Sequence, residues 1–562
     1  MKNKNLIISL LALLAGMNVS AAERSAAEMQ QLALQALKTQ NGASSGNRAM
    51  QITDVELVKT DNIYNVYSNG NSSFVIVSRD DRFTPVLACA KGDFNSTNHS
   101  PAFNWWLSAT AAGMQEMIDN GEMPAPKKAS SLSVVEPLMT TEWGQETMPY
   151  YAYTPEIGNT KCAAGCGAVT LSELLNYHKY PSSVDFTGTY SVDNGKTYRS
   201  ERVTSTYTWN LKDRYGQYSK DGSDKLDGYA AYSPSQGRAV ATLMRDCGYA
   251  VNMVYNYSSS AYTQDVPLAL VNCFQFPDES VKLFYEDFFV KEDWDAMIHG
   301  ELEKGYPVLL FGNDAATGYG HIFVAHGWDA EGKVAIEWGW IGVDNGYYSM
   351  DYLRGSKYNF SYNLGVVIAH PYALSTDRFE SSWITDKPYS IKYNPTANSL
   401  SISIPGGLYN FEKGKFTGQL GLVLEKEATG EVGFINLTGG QILEFEFGTG
   451  LSATSTTLTN CSFDPNTVYY VYLASKDNRD IEWQPVRTVG GAQYFTLRVD
   501  GTGNAVFDDD YKFATGIEGV KADNADSKSS TKIYSLDGTQ VNGNTKGIKI
   551  VKNERATRKV YF

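Results

Sequence analysis

Residues 165–181 read GCGAVTLSELLNYHKYP and predict a helix that begins at or near a cysteine. Four residues follow the i, i+3, i+4, i+7 spacing of one helix face: Leu171, Leu174, Leu175 and His178. Pro181 ends this pattern, and residues 159–165 have the composition of a loop. We therefore expect Cys166 at the helix N-terminus, where free N–H groups and the helix dipole stabilise a thiolate and lower the pKa of the thiol.

A thiolate at this position is suited to attack a carbonyl carbon, although a buried structural cysteine is the common alternative. Cys162 lies in the preceding loop, where the dipole argument is weaker, and we expect a free or disulfide-bonded structural thiol there. The six cysteines are scattered and show no metal-site spacing, so we expect neither a metal nor a cofactor.

A catalytic thiol needs a base, and the sequence offers six histidines. His178 continues the apolar helix face and is predicted to be a core residue. His321 and His326 belong to GYGHIFVAHGW, in which residues 322–325 read as a buried strand. Their odd separation places them on opposite faces of that strand, so they cannot bind one metal from the same surface. His321 is the candidate general base.

The strand of His321 is followed by a predicted hairpin turn at residues 329–332 and a returning strand at residues 333–338. An antiparallel return would bring Glu337 close to His321, where a carboxylate can fix the imidazole tautomer and stabilise the imidazolium. Trp338, the next residue, would shield this contact from water. An ordinary aromatic hairpin is the alternative interpretation.

The length of 562 residues exceeds what one hydrophobic core can hold and predicts several domains. A formal net charge of −14 argues against a nucleic-acid partner. The N-terminus combines Lys2 and Lys4 with an apolar run at residues 6–17 and a small-residue cleavage site at residues 19–21. We therefore expect a cleaved signal peptide, export from the cytoplasm and no stable membrane span.

Periodicity along the rest of the chain predicts an α+β fold. Helices are expected at residues 26–38 and around Trp105 and Trp106, with strands between them. The stretch 121–133 has the composition of an exposed linker, in which Lys127 and Lys128 invite proteolysis. Short alternating strands separated by turn residues from Ser375 to Phe507 are typical of a β-sandwich.

Several motifs agree in order with a known family. Between residues 138 and 371 the chain resembles the streptopain family of papain-clan cysteine peptidases in GC at 165–166, YHKYP at 177–181, GHIFV at 320–324, WGWIG at 338–342 and AVATLMRDCGYAVNM at 239–253. The resemblance implies a papain-like peptidase core in which Cys166 is the nucleophile, His321 the base and Gln145 the oxyanion donor. Trp338 would shield the site.

The resemblance also implies a division of the chain and a set of partners. We expect a signal peptide at 1–21, an inhibitory propeptide at 22–128, the peptidase domain at 129–372, a β-sandwich at 373–515 and a C-terminal segment at 530–562 that resembles the sorting signals of secreted Bacteroidetes proteins. The expected partners are protein or peptide substrates and the protein's own propeptide as inhibitor.

Two departures from the family pattern leave alternatives open. Glu337 stands where the family usually has asparagine, and Gly167 stands where it tends to have valine. A non-catalytic or weakly active surface or adhesion protein on a peptidase-like scaffold is one alternative. Another Cys–His acyl transferase is the second.

Overall fold

The computed structural model describes residues 23–43, 54–70, 72–94, 99–122, 132–216, 225–226, 229–313, 320–353, 364–513, 532–535, 540–541, 548–552 and 557–561. The predicted signal peptide at 1–21 and the linker lysines Lys127 and Lys128 lie outside these ranges, so both stay predictions.

The N-terminal and central parts of the chain alternate strands with helices. The strands are β1 (Glu56–Thr60), β2 (Tyr64–Ser68), β3 (Ser73–Ser78), β4 (Val86–Lys91), β5 (Glu156–Ile157), β6 (Thr160–Lys161), β7 (Ser183–Val192), β8 (Thr197–Thr206), β9 (Lys225–Leu226), β10 (Tyr229–Ala230), β11 (Val254–Tyr255), β12 (Val281–Tyr285), β13 (Val308–Asn313), β14 (Gly320–Trp328), β15 (Val334–Glu337), β16 (Gly346–Tyr348) and β17 (Gly365–Ala369).

The helices are α1 (Ala26–Ala43), α2 (Pro101–Asp119), α3 (Cys166–His178), α4 (Pro234–Ala250), α5 (Asp265–Asn272) and α6 (Lys291–Glu303). Ser100 caps α2 and Ser233 caps α4, each followed by a proline in the first turn, where its missing N–H costs nothing. The predicted helices at 26–38, around Trp105 and at Cys166 are all confirmed. None of the described helices is long and apolar enough to cross a bilayer.

One long antiparallel sheet joins the N-terminal segment to the segment that holds His321. Its strand order is β1-β2-β3-β4-β16-β15-β14-β13-β17-β12. The junction is the pairing of β4 with β16, where Cys89 lies opposite Tyr347 and Ala90 opposite Gly346. Glycine is required at position 346 of this pairing because a Cβ there would overlap the backbone of Ala90. The two predicted domains therefore share a continuous sheet.

Different helices cover the two faces of this sheet. Successive side chains of β14 point alternately to one face and to the other. Phe323 and Ala325 pack into a core with the N-terminal helix α2 and with α6. Ile322 and Val324 point to the other face and pack into a core with α3, α4 and α5. Helix α1 covers the outer side of β2, β3 and β4. The combination of helices and antiparallel strands confirms the predicted α+β class.

The C-terminal third is a β-sandwich, as predicted. Its strands are β18 (Trp383–Thr385), β19 (Ser390–Asn394), β20 (Ser399–Ile404), β21 (Leu408–Asn410), β22 (Phe416–Lys426), β23 (Val432–Asn436), β24 (Leu443–Phe445), β25 (Gly450–Leu451), β26 (Thr454–Leu458), β27 (Thr467–Asp477), β28 (Gln484–Pro485), β29 (Arg487–Thr488), β30 (Gly491–Val499) and β31 (Ala505–Phe513).

The core of the sandwich includes Trp383, Phe495 and one face of β20. On β20 the alternating residues Leu400, Ile402 and Ile404 are the buried ones, as the sequence pattern predicts. Four further strands lie near the C-terminus: β32 (Lys532–Ser535), β33 (Gln540–Val541), β34 (Ile548–Lys552) and β35 (Thr557–Tyr561).

Charged and aromatic contacts dock the β-sandwich on the central domain. Asp278 receives an ion pair from Arg479 at 3.1 Å and one from Lys413 at 3.0 Å. The guanidinium of Arg487 lies 4.1 Å from the ring centroid of Phe289, within the range of a cation–π contact. The sandwich is therefore held against the central domain by specific contacts as well as by the connecting chain.

The pairing of β4 with β16 generates a first prediction. Gly346→Ala should lower the free energy of unfolding by about 1–3 kcal/mol, because the new Cβ has to push apart two paired backbones. Thermal unfolding of the full chain measures the change. The matched control is Gly300→Ala in α6, where no atom lies within 4 Å of the new Cβ. That control should be stabilising by up to about 1 kcal/mol, and equal effects of both variants would contradict the prediction.

Candidate active site

Cys166 is the first residue of α3, as the sequence predicts. The residue before it, Gly165, has a φ of 88°, a conformation that favours glycine. A side chain at Gly165 would also come within 2.8 Å of Met253. The turn that presents Cys166 therefore depends on glycine for both its backbone conformation and its packing.

The electrostatic environment of Cys166 differs from our expectation. Burial raises the pKa of the Cys166 thiol, and the backbone N–H groups of Ile322, Gly167 and Cys166 itself only partly oppose this effect. The predicted lowering of the pKa is therefore wrong for this state of the chain. Removal from water penalises a thiolate more than the helix N-terminus stabilises it.

His321 lies at the start of β14, directly opposite Gly312 of β13. It is partly buried, and burial lowers the pKa of its imidazole to about 4. The backbone N–H of Ile322, the next residue along the strand, lowers the pKa of the Cys166 thiol and therefore lies near it. The hydroxyl of Thr170 on the same helix donates to the carbonyl of Ile322 at 3.1 Å. The helix of Cys166 thus meets the strand of His321 within one residue of the histidine.

Gln145 lies in a loop that is fixed from three sides. Its carbonyl accepts the N–H of Ala164 at 2.9 Å, two residues before Cys166. Two residues before Gln145, the N–H of Trp143 donates to the carboxyl of Glu173 at 3.0 Å. The carbonyl of Trp143 accepts the N–H of Ile341 at 2.7 Å. Gln145 is therefore tied to the chain that leads into Cys166, which fits a side chain placed near the thiol.

Trp338 is buried on the same sheet face as Phe323. Its ring lies 4.7 Å from the ring of Phe323 and 5.0 Å from that of Tyr348, centroid to centroid. Its indole N–H donates to the carbonyl of Asp344 at 3.1 Å, and its backbone N–H donates to the side chain of Asn345 at 3.1 Å. Trp338 is thus a rigid wall on the His321 side of the sheet.

Glu337 occupies a different position from the one we expected. The hairpin between β14 and β15 forms as predicted, but Glu337 pairs with Val324, three residues from His321. An odd separation puts the two side chains on opposite faces of the sheet. The carboxyl of Glu337 contacts that of Glu173 and accepts the backbone N–H of Gly339. The hypothesis that Glu337 orients the imidazole of His321 is therefore not supported by its contacts.

The remaining cysteines and histidines separate clearly from these residues. Cys162 is buried in the core beside α3, and burial raises the pKa of its thiol. His178 packs against Phe276 and Tyr306, and burial lowers its pKa to about 4, as expected for a core histidine. The cysteines described by the structure are free thiols. Cys166 and His321 belong to two elements that meet, α3 and β14.

The N-terminal helix α2 covers the sheet at the position of His321. Trp105 of this helix lies so close to Gly312, the partner of His321, that a Cβ on Gly312 would overlap the indole. The ring of Trp105 also lies 6.1 Å from that of Phe323. The helix therefore occupies the face of the sheet on which His321 lies.

A second contact fastens α2 to the loop after Trp338. Asp344 is buried, and its carboxylate accepts the N–H of Ser100 at 2.8 Å and faces the Nδ1 of His99 at 2.8 Å. The Nε2 of His99 faces the carbonyl of Phe94, also at 2.8 Å. Both ring nitrogens face acceptors, so only the doubly protonated imidazolium can donate to both. Sequence patterns gave no indication of this contact, because its two halves are 245 residues apart.

Comparisons with known proteins follow the same division of the chain. The model of the Peptidase C10 family matches residues 143–348. Streptopain of Streptococcus pyogenes is 28% identical over 321 residues, which cover 52% of this chain and 75% of streptopain. The thiol protease/hemagglutinin PrtT of Porphyromonas gingivalis is 25% identical over 370 residues, which cover 61% of this chain and 38% of PrtT.

A solved structure of active interpain A from Prevotella intermedia is 30% identical, with a TM-score of 0.35, and the match covers 43% of this chain and 97% of that one. The chain belongs to the Peptidase C10 family. It is thus a member of a family of cysteine peptidases, and the predicted streptopain-family resemblance is confirmed. The C10 match contains Cys166, His321, Gln145, Glu337 and Trp338.

The N-terminal part of this C10 peptidase has its own match. The model described as Spi protease inhibitor covers residues 18–114, which include α1, β1–β4 and most of α2. A structure of a prointerpain A mutant from Prevotella intermedia is 29% identical, with a TM-score of 0.47, and the match covers 56% of this chain and 97% of that fragment. The prediction of a propeptide ahead of the peptidase is therefore confirmed as an inhibitor-like domain.

The His99–Asp344 contact generates a second prediction. Hydrogen bonding to Asp344 raises the pKa of His99 above its ordinary 6.5. The stabilisation from this pair is therefore complete below pH 6.5 and is lost as the pH rises through the raised pKa. Asp344→Asn should lower the free energy of unfolding by about 1–3 kcal/mol at pH 6, and by less at pH 9. Thermal unfolding at the two pH values tests this, and an equal loss at both would contradict it.

Proposed function

We propose that this chain is a secreted cysteine endopeptidase that is made as a zymogen, with Cys166 as nucleophile and His321 as general acid and base. The observation that carries the proposal is the meeting of α3 and β14, where the hydroxyl of Thr170 donates to the carbonyl of Ile322, the residue after His321, at 3.1 Å. The substrates are proteins or peptides. The predicted signal peptide supports export, and the C-terminal strands are candidates for a sorting segment.

The chemistry of the proposed site follows from these residues. His321 takes the proton of Cys166, and the sulfur attacks the carbonyl carbon of the scissile peptide bond. The tetrahedral intermediate places its oxyanion near the backbone N–H of Cys166, and the amide of Gln145 is the proposed second donor. The C–N bond then breaks, and the amine leaves with the proton held by His321. Water next attacks the thioester, releases the acid and restores the thiol.

In the zymogen, burial opposes the proton transfer with which this chemistry begins. Burial favours the neutral thiol of Cys166 and the neutral imidazole of His321, so that a thiolate–imidazolium pair is disfavoured. Trp105 packs at the partner of His321 on the sheet face where the imidazole lies. We infer that departure of the N-terminal domain exposes the site to water and to substrate.

The central test is the nucleophile. Cys166→Ala in the full chain should lower peptide hydrolysis by on the order of 10³-fold or more and abolish self-cleavage. Hydrolysis of a fluorogenic peptide and gel analysis of processing measure both. Cys162→Ala is the matched control, because it removes a nearby thiol that lies in the core. Self-cleavage that persists in Cys166→Ala with no contaminating protease would refute the assignment.

The products of the reaction separate hydrolysis from acyl transfer. A peptidase releases a new free amine and a new carboxylate, whereas a transferase joins the acyl group to an added amine. Mass spectrometry of a model peptide with and without an added primary amine distinguishes them. We expect cleavage products in both conditions.

The inhibitory contact generates a further prediction. Trp105→Ala should destabilise the packing of the N-terminal domain by about 3–5 kcal/mol, since it empties a space that a buried indole fills. Processing of the precursor should therefore become faster, as measured by the time course of cleavage after folding. Leu57→Ala is the control, because this side chain is 53% exposed. Equal processing rates of the two variants would show that Trp105 does not maintain latency.

A further inference from the structure

Two buried carboxyl groups lie close together between the helix of Cys166 and the turn that follows Trp338. Glu173 belongs to α3, two turns after Cys166, and is 0% exposed, while Glu337 ends β15 and is 1% exposed. Each carboxyl group shifts the pKa of the other, so the two groups lie close together in a site shielded from water. A carboxylate can only accept a hydrogen bond and two buried carboxylates repel each other, so the pair is favourable only when one member carries a proton.

The surrounding donors indicate where this proton lies. Glu337 accepts the N–H of Gly339 on one oxygen and the side-chain amide of Asn345, at 3.2 Å, on the other. Glu173 accepts the N–H of Trp143 on Oε1 at 3.0 Å, whereas its Oε2 receives no donor from the described residues. The proton therefore belongs on Oε2 of Glu173, from which it is donated to the Glu337 carboxylate.

Each group that the pair binds belongs to a different part of the site. Trp143 leads into the loop of Gln145. Gly339 and Asn345 flank Trp338, and the side chain of Asn345 also accepts the backbone N–H of Trp338. Glu173 itself lies on the helix that begins with Cys166. One shared proton thus links the Cys166 helix, the Gln145 loop and the Trp338 turn.

We propose that Glu173 and Glu337 are positioning residues that share one proton, and that this proton holds the Gln145 loop and the Trp338 turn against the Cys166 helix. The proposal rests on the proposed function for its effect on catalysis. The proton-sharing contact itself is independent of the reaction. Loss of the proton leaves two carboxylates in contact in a buried site, where they repel each other.

The direction of the pH dependence follows from the burial of the pair. Burial raises the pKa of Glu173 well above its ordinary 4.5 and raises that of Glu337 as well. The stabilisation is therefore complete below pH 4.5 and is lost as the pH rises through the raised values. Glu142 adds a further negative charge nearby, and its own partners are Arg214 at 2.6 Å and Lys91 at 3.5 Å.

This alkaline loss differs from the titration of the proposed base. Deprotonation of His321 makes it competent to accept a proton, so it gives a rise in activity with pH. Deprotonation of the carboxyl pair gives a fall. The two effects lie on opposite limbs of the pH–rate profile and are measured separately.

The first test replaces the protonated carboxyl group of Glu173 with an amide. Glu173→Gln keeps an oxygen for the N–H of Trp143 and supplies an N–H for the Glu337 carboxylate, so it reproduces the protonated state. Its kcat should stay constant over the alkaline range in which the kcat of the wild type falls. Glu337→Gln has the opposite geometry, since its NH₂ group must face the donor of Gly339 or Asn345. Its kcat should fall on the order of tenfold or more at every pH, with a smaller change in KM.

The second test does not require activity. Infrared spectra of the full-length Cys166→Ala chain should contain a protonated-carboxyl band that disappears as the pH rises and that is missing from Cys166→Ala/Glu173→Gln. Glu412 on the β-sandwich is the matched control, because burial raises its pKa to about 8 as well. Cys166→Ala/Glu412→Gln should lose a different band and keep the one assigned to the pair.

The outcomes of these tests are distinguishable. A protonated-carboxyl band that depends on Glu173 in the Cys166→Ala chains, together with no peptide hydrolysis by the chain that keeps Cys166, would contradict the proposed function and support the shared proton. Hydrolysis with no protonated-carboxyl band that depends on Glu173 would overturn the shared proton and leave the peptidase standing. Equal pH profiles of active wild type and Glu173→Gln would overturn the positioning role.

Discussion

The pairing of β4 with β16 is the interaction on which the architecture of the precursor depends. Through this pairing the inhibitor-like domain and the peptidase share one antiparallel sheet. It also sets the position of α2, because the helix follows β4 directly and packs across the sheet face that carries His321. The inhibition proposed here therefore has its origin in strand pairing, and the side-chain contacts of Trp105 and His99 are added to it.

Burial governs the charge states of the two proposed catalytic groups. The elements that carry Cys166, His321 and Gln145 are in contact through backbone and Thr170 hydrogen bonds. At the same time, burial favours the uncharged thiol and the uncharged imidazole. In a medium of low dielectric, the separated charges of an active pair need either a partner or water. In the proposed activation, access of water would therefore favour the charged pair.

The sequence was sufficient to predict the elements that depend on local patterns. The helix of Cys166, the hairpin of β14 and β15 and the buried alternation of β20 all follow from periodicity and turn residues. The orientation of Glu337 could not be predicted in the same way. The hairpin pairs Glu337 with Val324, three residues from His321, but the alternation of side chains along the strand directs Glu337 to the other face of the sheet. Nothing in the sequence distinguishes its partner Glu173 from other polar residues of a helix. Contacts between residues this far apart in sequence leave no local pattern.

The same limit explains why the sequence suggested separate domains. Composition indicates a linker at 121–133, and such a linker usually separates independent folding units. Here the strands on its two sides pair with each other.

The pKa of the Cys166 thiol has a similar origin. The helix N-terminus could be predicted from the sequence, but the desolvation of the thiol depends on distant chain segments that pack around it.

The shared sheet has a further consequence for the proposed maturation. Removal of the inhibitor-like domain would make β16 an edge strand whose N–H and C=O groups have lost their partners on β4. Exposed edges of this kind invite other extended chains to add on, and proteins commonly keep them short to avoid aggregation. The new edge spans only Gly346–Tyr348. Its three residues limit the template that a foreign strand could pair with.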